Sequence, residues 1–80
     1  MTVSQAIIKR ITDYCIENKL TVSKLCTISG ATQSTINDIM NGVTTNPGIV
    51  TIKKLCDGMG ITLTEFFNTD YFNALEQEIQ

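Results

Sequence analysis

The 80-residue chain has no histidine, no tryptophan and one proline, and its three cysteines are nowhere spaced as CxxC. Each gap removes a class of function. Without histidine or a close cysteine pair there is no ligand set for zinc, and three thiols cannot all pair within one chain. Neither a metal site nor a disulfide scaffold is therefore expected. Cys15, Cys26 and Cys56 read as small buried apolar residues in a reducing compartment, with a redox-sensing thiol as the alternative. The missing histidine also takes away the commonest general base. No nucleophile–base pair or glycine-rich phosphate loop replaces it, so neither an enzyme nor a cofactor is expected. No apolar run approaches the roughly 18 residues that span a bilayer, and "MTVSQAIIKR" lacks the apolar region of a secretion signal. The expected location is cytoplasmic, with no membrane partner.

Positive charge is scarce as well: six Lys and Arg stand against eight Asp and Glu, and no Lys or Arg lies between Cys26 and Ile52. The composition is nevertheless 42% hydrophobic with a net charge of only -2, which separates it from disordered chains and supplies one small core.

The apolar residues recur at helical spacing, with no alternating strand pattern and no internal repeat. Val3, Ile7, Ile8, Ile11 and Cys15 form one stripe and predict a first helix over residues 3–18. Thr21 caps a short second helix that buries Leu25, Cys26 and Ile28 and stops at Gly30. A third helix starts at once, with Thr32 as its N-cap and Ile36, Ile39 and Met40 inward, and ends at Asn41-Gly42. Asn46-Pro47 reads as the N-cap and first residue of a fourth helix reaching about Gly58, with Ile49, Ile52, Leu55, Cys56 and Met59 as its apolar face. In "ITLTEFF", Thr62 and Glu65 make a capping box and Ile61 and Phe66 a hydrophobic staple, so a fifth helix starts at Leu63. In the tail, Phe72, Leu75 and Ile79 would share one stripe of a sixth helix. Two readings of that stripe stand open: it closes the domain's own core, or it forms a dimer contact or a docking site for another protein.

The third helix poses the functional question. In "CTISGATQSTINDIMNG", residues 26–42, the outward positions Gln33, Ser34, Asn37 and Asp38 are too polar to be buried. Beside them stands a particular spacing: a small residue at Cys26, glycine four later, then Ile36 and Ile39. Two helices joined by so short a turn cross steeply, which calls for a small side chain at the crossing and glycine at the reversal. This pattern resembles the helix-turn-helix of the Cro and C1 repressor family, also called the XRE family. The resemblance covers residues 3–68 and continues into "GVTTNPGIVTIKKLCDGMGITLTEFF", with its glycine, Asn-Pro loop, fourth helix and final capped helix in the same order.

The resemblance implies an all-α, five-helix, lambda-repressor-like domain over residues 1–69 and a tail, 70–80, with room for a short sixth helix. It implies a sequence-specific regulator of transcription, a repressor, whose partner is double-stranded DNA read by the third helix, 33–41, in the major groove. By family position Gln33, Ser34, Asn37 and Asp38 would contact bases. Gln and Asn suit adenine edges, and Asp suits the cytosine amino group. Ser23, Lys24, Thr32, Thr35, Asn46 and Lys53 would contact phosphate. The sequence departs from the family at the start of helix 2, where a frequent glutamine is replaced by Val22 and Ser23 substitutes in part. The only cations are Lys9, Arg10, Lys19, Lys24, Lys53 and Lys54. So few imply weak binding by one copy and hence two copies on a two-fold site or a larger complex; a homodimer is expected, with Phe72, Leu75 and Ile79 as candidate contacts. The rival expectation is a protein-interaction module, such as an antitoxin or regulator subunit, that keeps the scaffold for another partner.

Overall fold

A computed structural model describes residues 1–79. Its helices are α1 (Val3–Glu17), α2 (Val22–Ser29), α3 (Gln33–Met40), α4 (Ile49–Met59), α5 (Leu63–Phe67) and α6 (Asp70–Asn73), and there are no strands among the described residues. The architecture is the expected all-α, lambda-repressor-like one, with the sixth helix reduced to a single turn.

Local chemistry explains where most helices start. Thr21, Thr32 and Thr62 each accept a bond from the backbone N–H three residues on, to Lys24, Thr35 and Glu65. The capping box at Thr62–Glu65 is complete, and an equivalent one at Thr2–Gln5 opens α1. The end of α1 is less conventional. The N–H of Leu20 donates to the Cys15 carbonyl at 2.8 Å and that of Lys19 to Ile16 at 3.3 Å, closing the last turn with Lys19 at φ 54°. That left-handed position, which usually holds glycine, here carries a lysine.

The core draws Ile7, Ile11 and Cys15 from α1, Leu25 and Cys26 from α2, and Ile36 and Ile39 from α3. It is completed by Ile52, Leu55, Cys56 and Met59 of α4 around a fully buried Phe66 of α5. Polar clamps tie α1 to α5 and to the end of α4. Arg10 donates from Nε to the Phe66 carbonyl at 2.9 Å and from its terminal nitrogen to the Glu65 carbonyl at 3.3 Å. One turn on, Tyr14 donates its hydroxyl hydrogen to the Met59 carbonyl at 2.9 Å.

Four expectations are corrected. The N-cap of α4 is Gly48, so Asn46 and Pro47 lie in the loop before the helix. The core-facing series 52, 55, 56 and 59 sets that helix's register, and Ile49, a turn before it, is 60% exposed. Ile28 is also turned outward, at 48% exposure, because α2 presents Leu25, Cys26 and Ser29 to its neighbours and Ile28 falls beyond that arc. Met40, by contrast, faces inward as expected, half-buried at the core's edge. The tail does not carry one helical stripe: α6 ends at Asn73, Phe72 packs on Phe66 and Phe67, Leu75 is half-buried, and Ile79 is 87% exposed.

Candidate nucleic-acid interface

Helix α3 is anchored from beneath and bare on top. Ile36 and Ile39 are fully buried, so the 100° rotation per residue leaves Gln33, Ser34, Thr35, Asn37 and Asp38 exposed on the other side. The turn feeding α3 is short: α2 ends at Gly30 in the left-handed region (φ 73°), and Thr32 already caps α3. A non-glycine residue at that φ would be strained, so Gly30 is what lets two helices meet so closely.

The exposed groups organise one another. Gln33 Nε2 donates to Asn37 Oδ1 at 2.9 Å, one turn along the helix. Thr32 and Thr35 hydroxyls lie 2.6 Å apart, and the Thr35 N–H donates to Thr32 Oγ1 at 3.3 Å. At the far end the Asp38 carbonyl accepts from the N–H groups of both Val43 (2.8 Å) and Thr44 (3.0 Å), which folds the following loop back onto α3. The Asp38 side chain itself makes no hydrogen bond within the described residues.

The expected phosphate contacts are placed unevenly. Ser23 and Lys24 are exposed in the first turn of α2, where Lys24 also donates its backbone N–H to Thr21. Asn46 is exposed in the loop and does not cap α4; the first turn of α4 has no side-chain cap. Lys53 is exposed but pairs with Asp57 on the same helix. Lys9 pairs with Asp13 at 3.0 Å and lies over the Tyr71 ring, while Arg10 is committed to α5. Among the described residues Lys19, Lys24 and Lys54 make no ion pair.

One feature just after α3 in the chain escaped the sequence reading. Val43, Ile49 and Val50 are 72%, 60% and 66% exposed within a run, residues 39–52, that has no charged residue. The missing charge was visible in the sequence. The exposure was not, because Ile49 falls on the same helical period as the buried residues of α4.

A capped polar helix, pinned by two isoleucines and reached through a glycine turn from a second helix, defines a helix-turn-helix DNA-binding domain. The chain belongs to the helix-turn-helix family of the XRE, or Cro/C1, type, whose pattern matches residues 3–66. Among solved structures it is similar to one described as the crystal structure of the prophage Lp1 protein 11, with a TM-score of 0.82 and 28% identity over 94% of this chain and 99% of that one. No curated protein matches it. No helix among the described residues is long and apolar enough to cross a membrane.

Proposed function

We propose that this DNA-binding protein is a sequence-specific repressor of transcription that lays α3 in the major groove of double-stranded DNA. In this reading Gln33, Ser34, Asn37 and Asp38 face base edges, while Ser23, Lys24, Thr32, Thr35, Asn46 and Lys53 face phosphates. One observation carries it: α3 holds its polar side chains outward while Ile36 and Ile39, both buried, fix its rotation. A helix held that rigidly can present hydrogen-bonding groups in a fixed register, which reading base edges requires. The protein works in the cytoplasm without catalysing a reaction. It binds as a homodimer, because each copy has few cations to set against phosphate and two half-sites about 34 Å apart double them. Selection of bound sequences from random duplex DNA at low salt tests the reading. Enrichment of a two-fold site is expected, and Gln33→Ala should relax it at one base pair; no enrichment at any salt sinks the reading.

A second reading rests on the exposed, uncharged group Val43, Ile49 and Val50, since charge-poor apolar surface is typical of the centre of protein interfaces. On that reading the scaffold acts mainly through a protein partner. Binding that ignores DNA and survives 1 M salt would favour it; steep salt dependence of DNA binding would favour the first.

A further inference from the structure

Resting on the DNA reading above, we infer that Asn37 is a positioning residue, which holds Gln33 with its amide edge turned to an adenine.

Gln33 is the first residue of α3 and Asn37 stands one turn later, so their side chains share a face. Both are exposed, and Gln33 Nε2 donates to Asn37 Oδ1 at 2.9 Å. A glutamine amide has two N–H donors that differ in direction. One lies on the side of its own carbonyl oxygen and the other on the side of Cγ, toward the helix that carries it. In this inference the bond back onto Asn37 is made through the second. What remains is Oε1 beside the first N–H, an acceptor and a donor side by side. Adenine presents the matching pair in the major groove, the N6 amino donor beside the N7 acceptor. Guanine presents two acceptors there and would set O6 against Oε1. Made that way, the bond to Asn37 leaves Gln33's adenine-reading edge free and restrains its direction.

An unbraced glutamine on a helix surface is among the side chains that lose most rotamer freedom when ordered. A partner that orders it beforehand sharpens discrimination by Gln33, apart from any base edge the partner itself faces. Asn37 keeps both N–H groups of its own amide, while one of the two lone pairs of its oxygen is engaged by Gln33. The brace thus competes with a paired contact from Asn37 to adenine, and its role toward Gln33 divides from Gln33's own.

The test compares wild type, Gln33→Ala, Asn37→Ala, Asn37→Asp and the double alanine variant by selection from random DNA. Preference is scored as the ratio of adenine to the other bases at each position. Gln33→Ala should lose adenine preference at one position by about tenfold or more. Asn37→Ala should weaken it at that same position, and the double variant should be no worse than Gln33→Ala. Asn37→Asp, whose carboxylate accepts the same bond, should restore the preference although its charge lowers affinity for every sequence. In the free protein, nitrogen relaxation of the Gln33 side-chain amide should report restricted motion in wild type and Asn37→Asp and released motion in Asn37→Ala. Unchanged adenine preference in Asn37→Ala, loss only at a different base pair, or a Gln33 amide equally mobile in all variants overturns the inference while the DNA reading stands. Failure of the wild type to enrich any sequence overturns the DNA reading, and this role for Asn37 with it.

Discussion

Gly58 of α4 lies directly against Ser29 of α2: a Cβ added to Gly58 would sit 2.7 Å from Ser29 Cβ and 2.8 Å from its Cα. The contact is with backbone, which cannot swing aside as the tip of a flexible side chain can. It brings the end of the first helix of the motif onto α4, in the most extensive helix pairing of the fold. Alanine normally stabilises a helix interior by about 1 kcal/mol relative to glycine. Gly58→Ala should do the reverse, destabilising the protein by roughly 1–3 kcal/mol through overpacking, as read from denaturant unfolding. A gain in stability would mean that α2 and α4 separate without penalty.

Arg10 should matter for stability and not for DNA. Its guanidinium makes two bonds to α5 carbonyls and lies over the Phe66 ring, 5.7 Å from the centroid. Arg10→Ala is expected to cost about 1.5–3 kcal/mol, and Arg10→Lys to recover only part because lysine lacks the planar fork. The salt dependence of DNA affinity should be unchanged in both.

Lys24 should show the opposite pattern. It is exposed on α2 and makes no ion pair among the described residues, so Lys24→Ala should leave the unfolding midpoint within about 0.5 kcal/mol of wild type. On the proposed docking it should lower the slope of log affinity against log salt by about 0.9. Lys53→Ala should lower the slope similarly, since its exposed partnership with Asp57 contributes little. Slopes equal to wild type in both variants would move the phosphate contacts elsewhere.

The three thiols should make the fold alkali-sensitive. Burial raises the pKa of Cys15, Cys26 and Cys56 above the ordinary value of 9.0, with neighbouring Cys26 adding to the effect on Cys15. A raised pKa in the folded state means that the folded chain binds the thiol proton more tightly than the unfolded one. This contribution is complete below pH 9.0 and is lost as pH rises through the higher folded-state values. The melting temperature should fall above pH 9.0 more steeply in wild type than in Cys56→Ala. At neutral pH all three buried thiols should resist alkylation until the chain unfolds, and reductant should not change the melt.

The tail should divide at Ala74. Phe72 packs edge-on against Phe67 at 5.0 Å between centroids, so Phe72→Ala should cost roughly 1–3 kcal/mol. Deleting residues 75–80 should leave the melt nearly unchanged. If the candidate contacts Leu75 and Ile79 join two copies, the shortened chain sediments as a monomer and binds a paired site more weakly. A shortened chain that still sediments as a dimer would place the dimer contact on another surface.

The sequence by itself determined what depends on neighbours three or four residues away. Thr21, Thr32 and the Thr62–Glu65 box cap their helices as expected, and the series Ile36–Ile39 and Ile52–Leu55–Cys56–Met59 is buried as its period requires. The same local rule would have found the Thr2–Gln5 box. These features, with Gly30 between two capped helices, carry the helix-turn-helix identity, and so the outward face of α3 was legible too. The tertiary structure decided whatever depends on residues far apart in the chain. Arg10 meets Phe66 across 56 positions, and Gly58 meets Ser29, so a surface-looking cation became a clamp and a glycine near a helix end became a packing site. It also decided where a periodic stripe stops being core. Ile28, Ile49 and Ile79 have the spacing of buried residues but no element among the described residues lies over them, because periodicity gives a residue's direction around its helix and only packing supplies the surface that covers it.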